Sequence, residues 1–223
     1  MQPRHMLVTA GPTHEAIDAV RYLANRSSGR MGVAIAAAAA TAGWDVTLLL
    51  GPVDVPPPAG VLVKRFRSTA DLAALLDANF PPADVLIMAA AVADYRPVQT
   101  GAGKLPRQSA GLRLELEPTP DLVAACATQR RSGQWIVGFA LEAPATLETR
   151  AVEKLARKGL DAIVANPLGT MGADDVEAVV FTSDGTRHEP PGAPGGIDKG
   201  AFAQWLVAWI GQRWTPAEPG LPG

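Results

Sequence analysis

Short apolar runs alternate with helix-forming segments along most of the chain, and this alternation constrains its fold more than any other feature. The pattern predicts buried strands at 6–10, 45–50, 61–66 and 84–90, and helices at 30–42 and 69–78. Strands and helices in this order connect through right-handed crossovers in a parallel sheet. Because the strands are almost continuously apolar, both faces of the sheet are expected to be covered. We therefore predict an α/β fold with a Rossmann-like parallel sheet and helices on both faces.

Two long polar segments interrupt this alternation. Residues 11–29 show no clear period and read as a loop, and residues 94–113 form a polar segment rich in Gly and Pro. We interpret the second segment as a flap, because loops of this length in compact domains are usually functional or disordered. Beyond it, the pattern predicts helices at 120–130, 145–158 and 202–210, strands at 135–139 and 160–165, and a small antiparallel hairpin around Asp184-Gly185. Thr119 is the expected cap of the helix at 120–130.

Length and charge narrow the class of protein. A chain of 223 residues suits one α/β domain, which we place at 1–213 and expect to be followed by a flexible tail at 214–223. The net charge of −2 does not indicate the excess of basic residues that is typical of proteins that bind nucleic acid. The longest apolar run, 33–42, is much shorter than the ~20 residues of a membrane span, and no signal-peptide pattern is visible. We therefore expect a cytoplasmic protein with neither nucleic acid nor membrane as a partner.

The loop between the first strand and the first helix is the first candidate site. It begins at Gly11 and reaches the helix through Asn25, Ser27, Ser28 and Gly29. Free N–H groups at a helix start bind anions, and glycine lets a ligand approach the backbone. The same residues are compatible with a plain connecting loop whose serine caps the helix. The spacing differs from the GxGxxG fingerprint of dinucleotide-binding proteins.

The turn after the strand at 84–90 is the second candidate site. Ala90, Ala91 and Asp94 follow this strand at the carboxyl edge of the sheet, where open α/β sheets bind ligands. Small side chains leave the backbone N–H and C=O groups accessible, and Asp94 adds an acceptor. A packing turn with a helix-capping aspartate would show the same residues.

Three lysines are the remaining candidates. Lys104 is the only lysine of the flap, where it could close over a phosphate or be a solvated loop charge. Lys154 and Lys158 share a helix face, which could meet a triphosphate or simply face solvent. The three histidines are scattered without the spacing of a metal site, so we predict no metal-ligating residues.

Together these segments resemble phosphopantothenoylcysteine synthetase, the ligase domain that many bacteria fuse behind a flavin decarboxylase. Apart from Lys104, the matching stretches are TAGPTHEAIDAVRYLANRSSGRMG at 9–32, AAAVADYRP at 89–97, PDLV at 120–123, VGFA at 137–140 and KLARKGLDAIVAN at 154–166. They occur in family order, and the first is long enough to be highly specific. We expect the ligase domain alone.

The resemblance implies an enzyme that joins 4′-phosphopantothenate to L-cysteine in coenzyme A biosynthesis, using a nucleoside triphosphate and Mg²⁺. Bacterial family members typically use CTP, so an acyl-cytidylate intermediate is implied. Thr119-Pro120-Asp121 stands where the family commonly has Asn-Pro-Asp, and ATP therefore stays open as the nucleotide. The resemblance also implies a homodimer formed partly through the region around the flap, and leaves room for a separate flavin decarboxylase chain as a partner.

Roles for individual residues follow from the resemblance. Lys104 would assist formation of the intermediate, Asn25 would hold the acyl carbonyl during attack by the amine, and Arg21 matches a second residue of that half-reaction. The implied nucleotide-binding residues are Ala90, Ala91, Asp94, Lys104, Pro120, Asp121, Leu122, Val123, Phe139, Lys154 and Lys158. The implied phosphate and substrate contacts are Gly11, Asn25, Ser27, Ser28, Gly29 and Ala91. The flap reads Lys104-Leu105-Pro106-Arg107 where the family usually has Lys-Ile-Lys-Lys, so it carries one charge fewer and a stiffening proline.

Two other functions stay open. An NAD(P)-binding oxidoreductase would share the fold, although the missing GxGxxG argues against it. A non-catalytic nucleotide-binding module would also share it, although Asn25, Asp94 and Lys104 are retained.

Overall fold

The computed structural model describes residues 4–107, 109, 111–170, 175–192 and 195–215. The strands in this part of the chain are β1 (His5–Ala10), β2 (His14–Ala16), β3 (Tyr22–Ala24), β4 (Asp45–Leu50), β5 (Leu62–Arg65), β6 (Val85–Met88), β7 (Tyr95–Pro97), β8 (Leu116–Pro118), β9 (Trp135–Glu142), β10 (Ala162–Pro167), β11 (Asp175–Val176), β12 (Val179–Thr182), β13 (Arg187–His188) and β14 (Ile197–Asp198). The helices are α1 (Arg30–Thr41), α2 (Thr69–Asn79), α3 (Leu122–Gln129), α4 (Leu147–Lys158) and α5 (Lys199–Arg213).

Eight of these strands form one sheet in the order β13-β12-β10-β9-β6-β1-β4-β5. Six adjacent strands of this order run parallel to one another, namely β10, β9, β6, β1, β4 and β5. The hairpin β12–β13 extends the sheet with two antiparallel strands, and its turn contains Asp184 and Gly185. The predicted fold class, including the small hairpin, is therefore confirmed.

Helices cover both faces of the sheet. Met6 and Val8 of β1 point into a core cluster shared with α1 and α5, whereas Leu7 points into a second cluster shared with α2, α3 and α4. Burial of each such side chain stabilises the fold by about 1.5–3 kcal/mol. None of the helices in the described part of the chain is long and apolar enough to cross a bilayer.

Close packing between α1 and β1 depends on Gly32. A Cβ atom at this position would lie 2.5 Å from the Cβ of Ala10 and 2.9 Å from the carbonyl oxygen of Thr9. Only glycine leaves room for so close an approach between helix and strand. The start of α1 is thereby held beside the carboxyl end of β1.

Two segments predicted as irregular contain short strands. Residues 11–29, expected to be a loop, include the antiparallel hairpin β2–β3. The base of the predicted flap is a second antiparallel ribbon, in which β7 pairs with β8. Each of these strands has three residues, which is too short for a period to be visible in the sequence.

The structure also corrects two predicted boundaries. Asp121, and not Thr119, caps α3 by accepting a hydrogen bond from the Ala124 N–H at 3.3 Å, while Thr119 donates its hydroxyl to the Ala93 carbonyl. Trp214, assigned above to a flexible tail, is buried and donates its indole N–H to the Gly133 carbonyl at 2.8 Å. The tail from residue 216 onward lies outside the described residues.

Candidate active site

A cavity of about 820 Å³ opens at the carboxyl ends of β6, β9 and β10 and faces the start of α1. Its volume suits a drug-sized or cofactor-sized ligand. Predicted site residues from separate segments of the sequence meet in its lining, namely Asn25, Ser27, Ser28, Gly29, Ala90, Ala91, Asp94, Pro120, Asp121, Leu122, Val123, Phe139, Lys154 and Lys158. The position agrees with the general location of ligands in open α/β sheets.

The floor of the cavity is the turn after β6, which is tied to β1 and to the loop that follows it. The Ala90 N–H donates to Thr9 Oγ1 at 3.0 Å, and the Ala91 N–H donates to the Gly11 carbonyl at 2.9 Å. Pro12 and Ala91 form a parallel bridge that continues the pairing of β1 with β6. The expectation that these N–H groups are accessible is therefore wrong, because the Thr9 hydroxyl engages that of Ala90 and backbone pairing past the strand ends engages that of Ala91.

One wall of the cavity is the loop that leads into α1. Gly29 is the N-cap residue with φ 72°, and no side chain caps the helix. The alternative of a serine that caps this helix is therefore wrong. The positive end of the α1 dipole thus faces the cavity at Arg30 and Met31, as an anion site requires. Asn25 reaches across to the floor and donates from Nδ2 to the Val92 carbonyl at 3.0 Å.

Two paired lysines form the opposite wall. Lys154 and Lys158 lie one turn apart on α4, and both line the cavity. Lys154 Nζ contacts Glu142 Oε1, and Lys158 Nζ lies 3.1 Å from Asp121 Oδ2. The predicted shared face is confirmed, and each ammonium group is held by a carboxylate from another element.

Three predicted site residues lie outside the cavity lining: Gly11, Arg21 and Lys104. Gly11 has φ +85° and supports the floor through the hydrogen bond to Ala91. Arg21 pairs with the buried carboxylate of Asp18. Lys104 is an exposed residue of the flap. The roles assigned to these three residues stay predictions.

Asp18 ties the flap to the β2–β3 hairpin. Its carboxylate accepts hydrogen bonds from the backbone N–H groups of Val20 and Arg21, both at 2.8 Å, and from that of Leu105 at 3.0 Å. The Arg21 guanidinium beside Asp18, together with these N–H groups, holds the pKa of the carboxyl far below its usual range. Arg21 Nη2 also donates to the Leu105 carbonyl at 3.1 Å. The residue after Lys104 is therefore held at both of its backbone groups.

A comparison with known families decides the kind of protein. The model of the DNA/pantothenate metabolism flavoprotein C-terminal domain matches residues 1–213. The chain belongs to this family.

Relatives of this chain include both longer proteins and a solved structure. A protein named cysteine/cysteine sulfinic acid decarboxylase, from an unknown prokaryote, is 44% identical over 171 residues, covering 76% of this chain and 47% of that protein. The coenzyme A biosynthesis bifunctional protein CoaBC of Vibrio cholerae is 39% identical over 193 residues, covering 84% of this chain and 48% of the relative. The crystal structure of the C-terminal domain of a coenzyme A biosynthesis bifunctional protein CoaBC is 33% identical, with a TM-score of 0.79, covering 95% of this chain and 96% of that one. The chain thus spans about half the length of its curated relatives.

The described part of the chain offers few ligands for a metal ion. Among the residues that the structure describes, no group of three or more His, Cys, Asp or Glu side chains is placed to hold a metal. The carboxylates of Asp94 and Asp121 belong to residues of the cavity lining. Because Mg²⁺ usually binds one or two carboxylates together with substrate phosphates, the cavity fits a magnesium ion that arrives with a nucleotide.

Two residues in or beside the cavity, Asn166 and Glu142, were not predicted as site residues. Glu142 ends β9 and pairs with Lys154, and Asn166 lines the cavity with a buried Oδ1 that has no hydrogen-bond partner in the described residues. The signal for Asn166 is its place directly after the predicted strand at 160–165. Glu142 carries a similar signal, a charge shortly after an apolar strand.

Proposed function

We propose that this chain is a phosphopantothenate–cysteine ligase, which joins 4′-phosphopantothenate to L-cysteine in coenzyme A biosynthesis. The observation that carries this proposal is the meeting of an uncapped helix N-terminus and two paired lysines across one cavity. Such a cavity offers positive groups on two sides of a polyphosphate. Relatives at 33–39% identity that are named for coenzyme A biosynthesis support the same assignment.

The proposed reaction has two steps. The carboxylate of phosphopantothenate attacks the α-phosphorus of CTP, and pyrophosphate leaves, giving an acyl-cytidylate. The amine of cysteine then attacks the acyl carbon, and CMP leaves. The first step brings anions together, so it depends on groups that offset negative charge. Lys154, Lys158 and the start of α1 are among the groups of the cavity lining that can supply this offset.

Magnesium has a limited role in this proposal. Mg²⁺ bound to the triphosphate would be held by Asp94 or Asp121 and would neutralise phosphate charge. Asp121 already contacts Lys158 and caps α3. Asp94 is exposed at the cavity rim and is therefore the better placed of the two.

Asn25 is suited to the second step. One N–H of its amide is engaged by the Val92 carbonyl, which fixes the orientation of the side chain. The other N–H can donate to the acyl carbonyl, where negative charge develops as the amine attacks. This arrangement supports the role predicted for Asn25.

The surroundings of the flap support a homodimer. Tyr95, Val98, Leu114 and Leu116 are exposed apolar residues on or next to the β7–β8 ribbon. Apolar side chains grouped in this way commonly mark a protein interface. We propose that two copies of the chain associate through this ribbon. A cytoplasmic location and a separate flavin decarboxylase partner stay predictions.

One assay tests the proposed function. The protein is mixed with phosphopantothenate, L-cysteine and Mg²⁺, and with CTP, ATP or UTP in separate reactions, and pyrophosphate release is followed. We expect sustained release over many turnovers, which depends on both substrates and is fastest with CTP. Absence of release with every nucleotide would refute the proposal, and faster release with ATP would correct the nucleotide. A fluorescence titration with NADH and NADPH tests the oxidoreductase alternative.

A further inference from the structure

Glu142 stands out among the residues near the cavity, because it is a carboxylate with very little contact with solvent. It is the last residue of β9, opposite Pro167 of β10 in the register of the sheet. Its side chain is 10% exposed, whereas that of its partner Lys154 is 34% exposed. A buried carboxylate is stable only when it is paired, since transfer of a charge out of water is costly. Lys154 supplies that pairing from α4.

The pair also restricts Lys154. A lysine ammonium carries three N–H donors on a flexible four-carbon chain. Glu142 engages one donor and selects one arrangement of that chain, in which two donors remain for an anion in the cavity. A lysine without such an anchor would lose more rotamer freedom on binding a phosphate.

Lys158 is held differently. Its partner Asp121 has a side chain that is 46% exposed, and pairs with exposed members contribute little. Lys154 and Lys158 are therefore unequal, because the carboxylate that anchors Lys154 is buried and the one that contacts Lys158 is exposed.

We infer that Glu142 is a positioning residue, which orients the Lys154 ammonium toward the phosphates of the bound nucleotide. This inference rests on the proposed function, because it needs a nucleotide in the cavity. Glu142 itself acts through Lys154, since its carboxylate would repel phosphates if it faced them directly.

Binding of CTP with Mg²⁺, measured by isothermal titration calorimetry, tests the inference. Glu142→Ala removes the anchor and should weaken binding about tenfold, as expected for loss of one well-oriented charged hydrogen bond. Glu142→Gln keeps an acceptor for Lys154, so it should weaken binding by less than about threefold. The double variant Glu142→Ala/Lys154→Met should bind no more weakly than Lys154→Met alone, because both changes remove the same contact.

Asp161→Ala is the matched control. Asp161 precedes β10 at the end of the sheet away from the cavity, and its partly buried carboxylate pairs with Arg130 at 2.8 Å. This variant should lower the melting temperature and leave CTP binding unchanged.

The outcomes separate the inference from the proposed function. If the wild type binds CTP and Glu142→Ala binds it equally well, the inference is overturned and the proposed function stands. If both Glu142 variants bind more tightly, Glu142 competes with the phosphates for Lys154, and the inference is again overturned. A wild type that binds neither CTP nor ATP would overturn the proposed function and this inference together.

Discussion

The carboxylate of Asp18 accepts a hydrogen bond from the backbone N–H of Leu105 at 3.0 Å, although 87 positions separate the two residues in sequence. Arg21 donates to the carbonyl of the same flap residue at 3.1 Å. The flap is thus fixed beside Lys104 by a buried carboxylate and its guanidinium partner. The position of Lys104 depends on residues that belong to the β2–β3 hairpin.

Removal of the Asp18 carboxylate should release the flap. Asp18→Ala eliminates the acceptor for Leu105 and leaves Arg21 without its partner, so the open form becomes more populated. Trypsin cleavage after Lys104 and Arg107, followed by mass spectrometry, should be at least about fivefold faster than in the wild type, because proteolysis follows the open population. Asp77→Ala, which removes an exposed carboxylate on α2, should leave the rate unchanged. Equal rates for all three proteins would show that Asp18 does not hold the flap.

The contact of Asp18 should persist in acid. The Arg21 guanidinium lowers the pKa of Asp18 in the folded state below the unfolded value of about 3.9. A lowered folded pKa gives stability that is complete above the unfolded value and is lost as the pH falls through the folded value. Carbon-13 NMR of the carboxyl groups should therefore show Asp18 titrating well below pH 4. Asp161, whose pKa is raised chiefly by burial, should titrate at a higher pH than Asp18 in the same spectra, and the reverse order would contradict the assignment.

Lys104→Gln should fold normally and lose most activity in the first step. The variant removes the flap ammonium group, which in the proposed reaction would offset charge as the carboxylate attacks the α-phosphorus. Single-turnover pyrophosphate release should fall about 100-fold, in the range found when one such stabilising group is removed. Arg107→Gln, a second flap cation, is the control and should have a smaller effect. Wild-type turnover by Lys104→Gln would remove this lysine from the mechanism.

Asn25→Asp should slow the second step and let the acyl-cytidylate accumulate. A carboxylate cannot donate to the acyl carbonyl, and it is repelled by the Val92 carbonyl that now accepts from the amide. Rapid-quench analysis should show the intermediate as the main bound species during turnover. Asn79→Asp makes the same change on α2, away from the cavity, and should accumulate none. A quench experiment in which Asn25→Asp also accumulates none would count against its role.

Asn166→Leu should stabilise the protein while reducing its activity. The buried Oδ1 of Asn166 has no partner among the described residues, and an unsatisfied buried polar atom costs about 1–3 kcal/mol. Replacing it by an apolar side chain should raise the melting temperature by about 2–12 °C in calorimetry. Product formation should fall, because the residue lines the cavity. An unchanged or lower melting temperature would show that the amide is already satisfied.

The sequence predicts the central sheet well, because its inner parallel strands are largely buried on both faces and read as nearly continuous apolar runs. Met6 to Ala10 and Val85 to Met88 are examples in which every residue is buried. The ribbons β2–β3 and β7–β8 escape prediction because three-residue strands with exposed side chains leave no period. Their existence depends on pairing between segments, which a local pattern does not contain.

The candidate site, like the fold, is predictable only in part. Asn25, Asp94 and Phe139 follow from motifs, and the fold brings them to one cavity. Asp18 lies within the matching stretch at 9–32 and Glu142 outside every matching stretch. The contacts of neither were predicted, because a single carboxylate gives no local signal of a partner 87 or 12 positions away. The engagement of the Ala90 and Ala91 N–H groups was missed because it depends on the register of β1 against β6.

The parallel bridge between Pro12 and Ala91 makes the two sides of the cavity unequal targets for protein engineering. A change to the backbone of the turn beneath the ligand would disturb the central ladder, so variation there threatens folding. The surrounding walls are built from side chains, and variation at wall residues without a proposed role in the reaction leaves that ladder intact. Libraries that aim at new acids or amines should therefore diversify those wall residues and keep the floor, Asn25 and Lys154 constant.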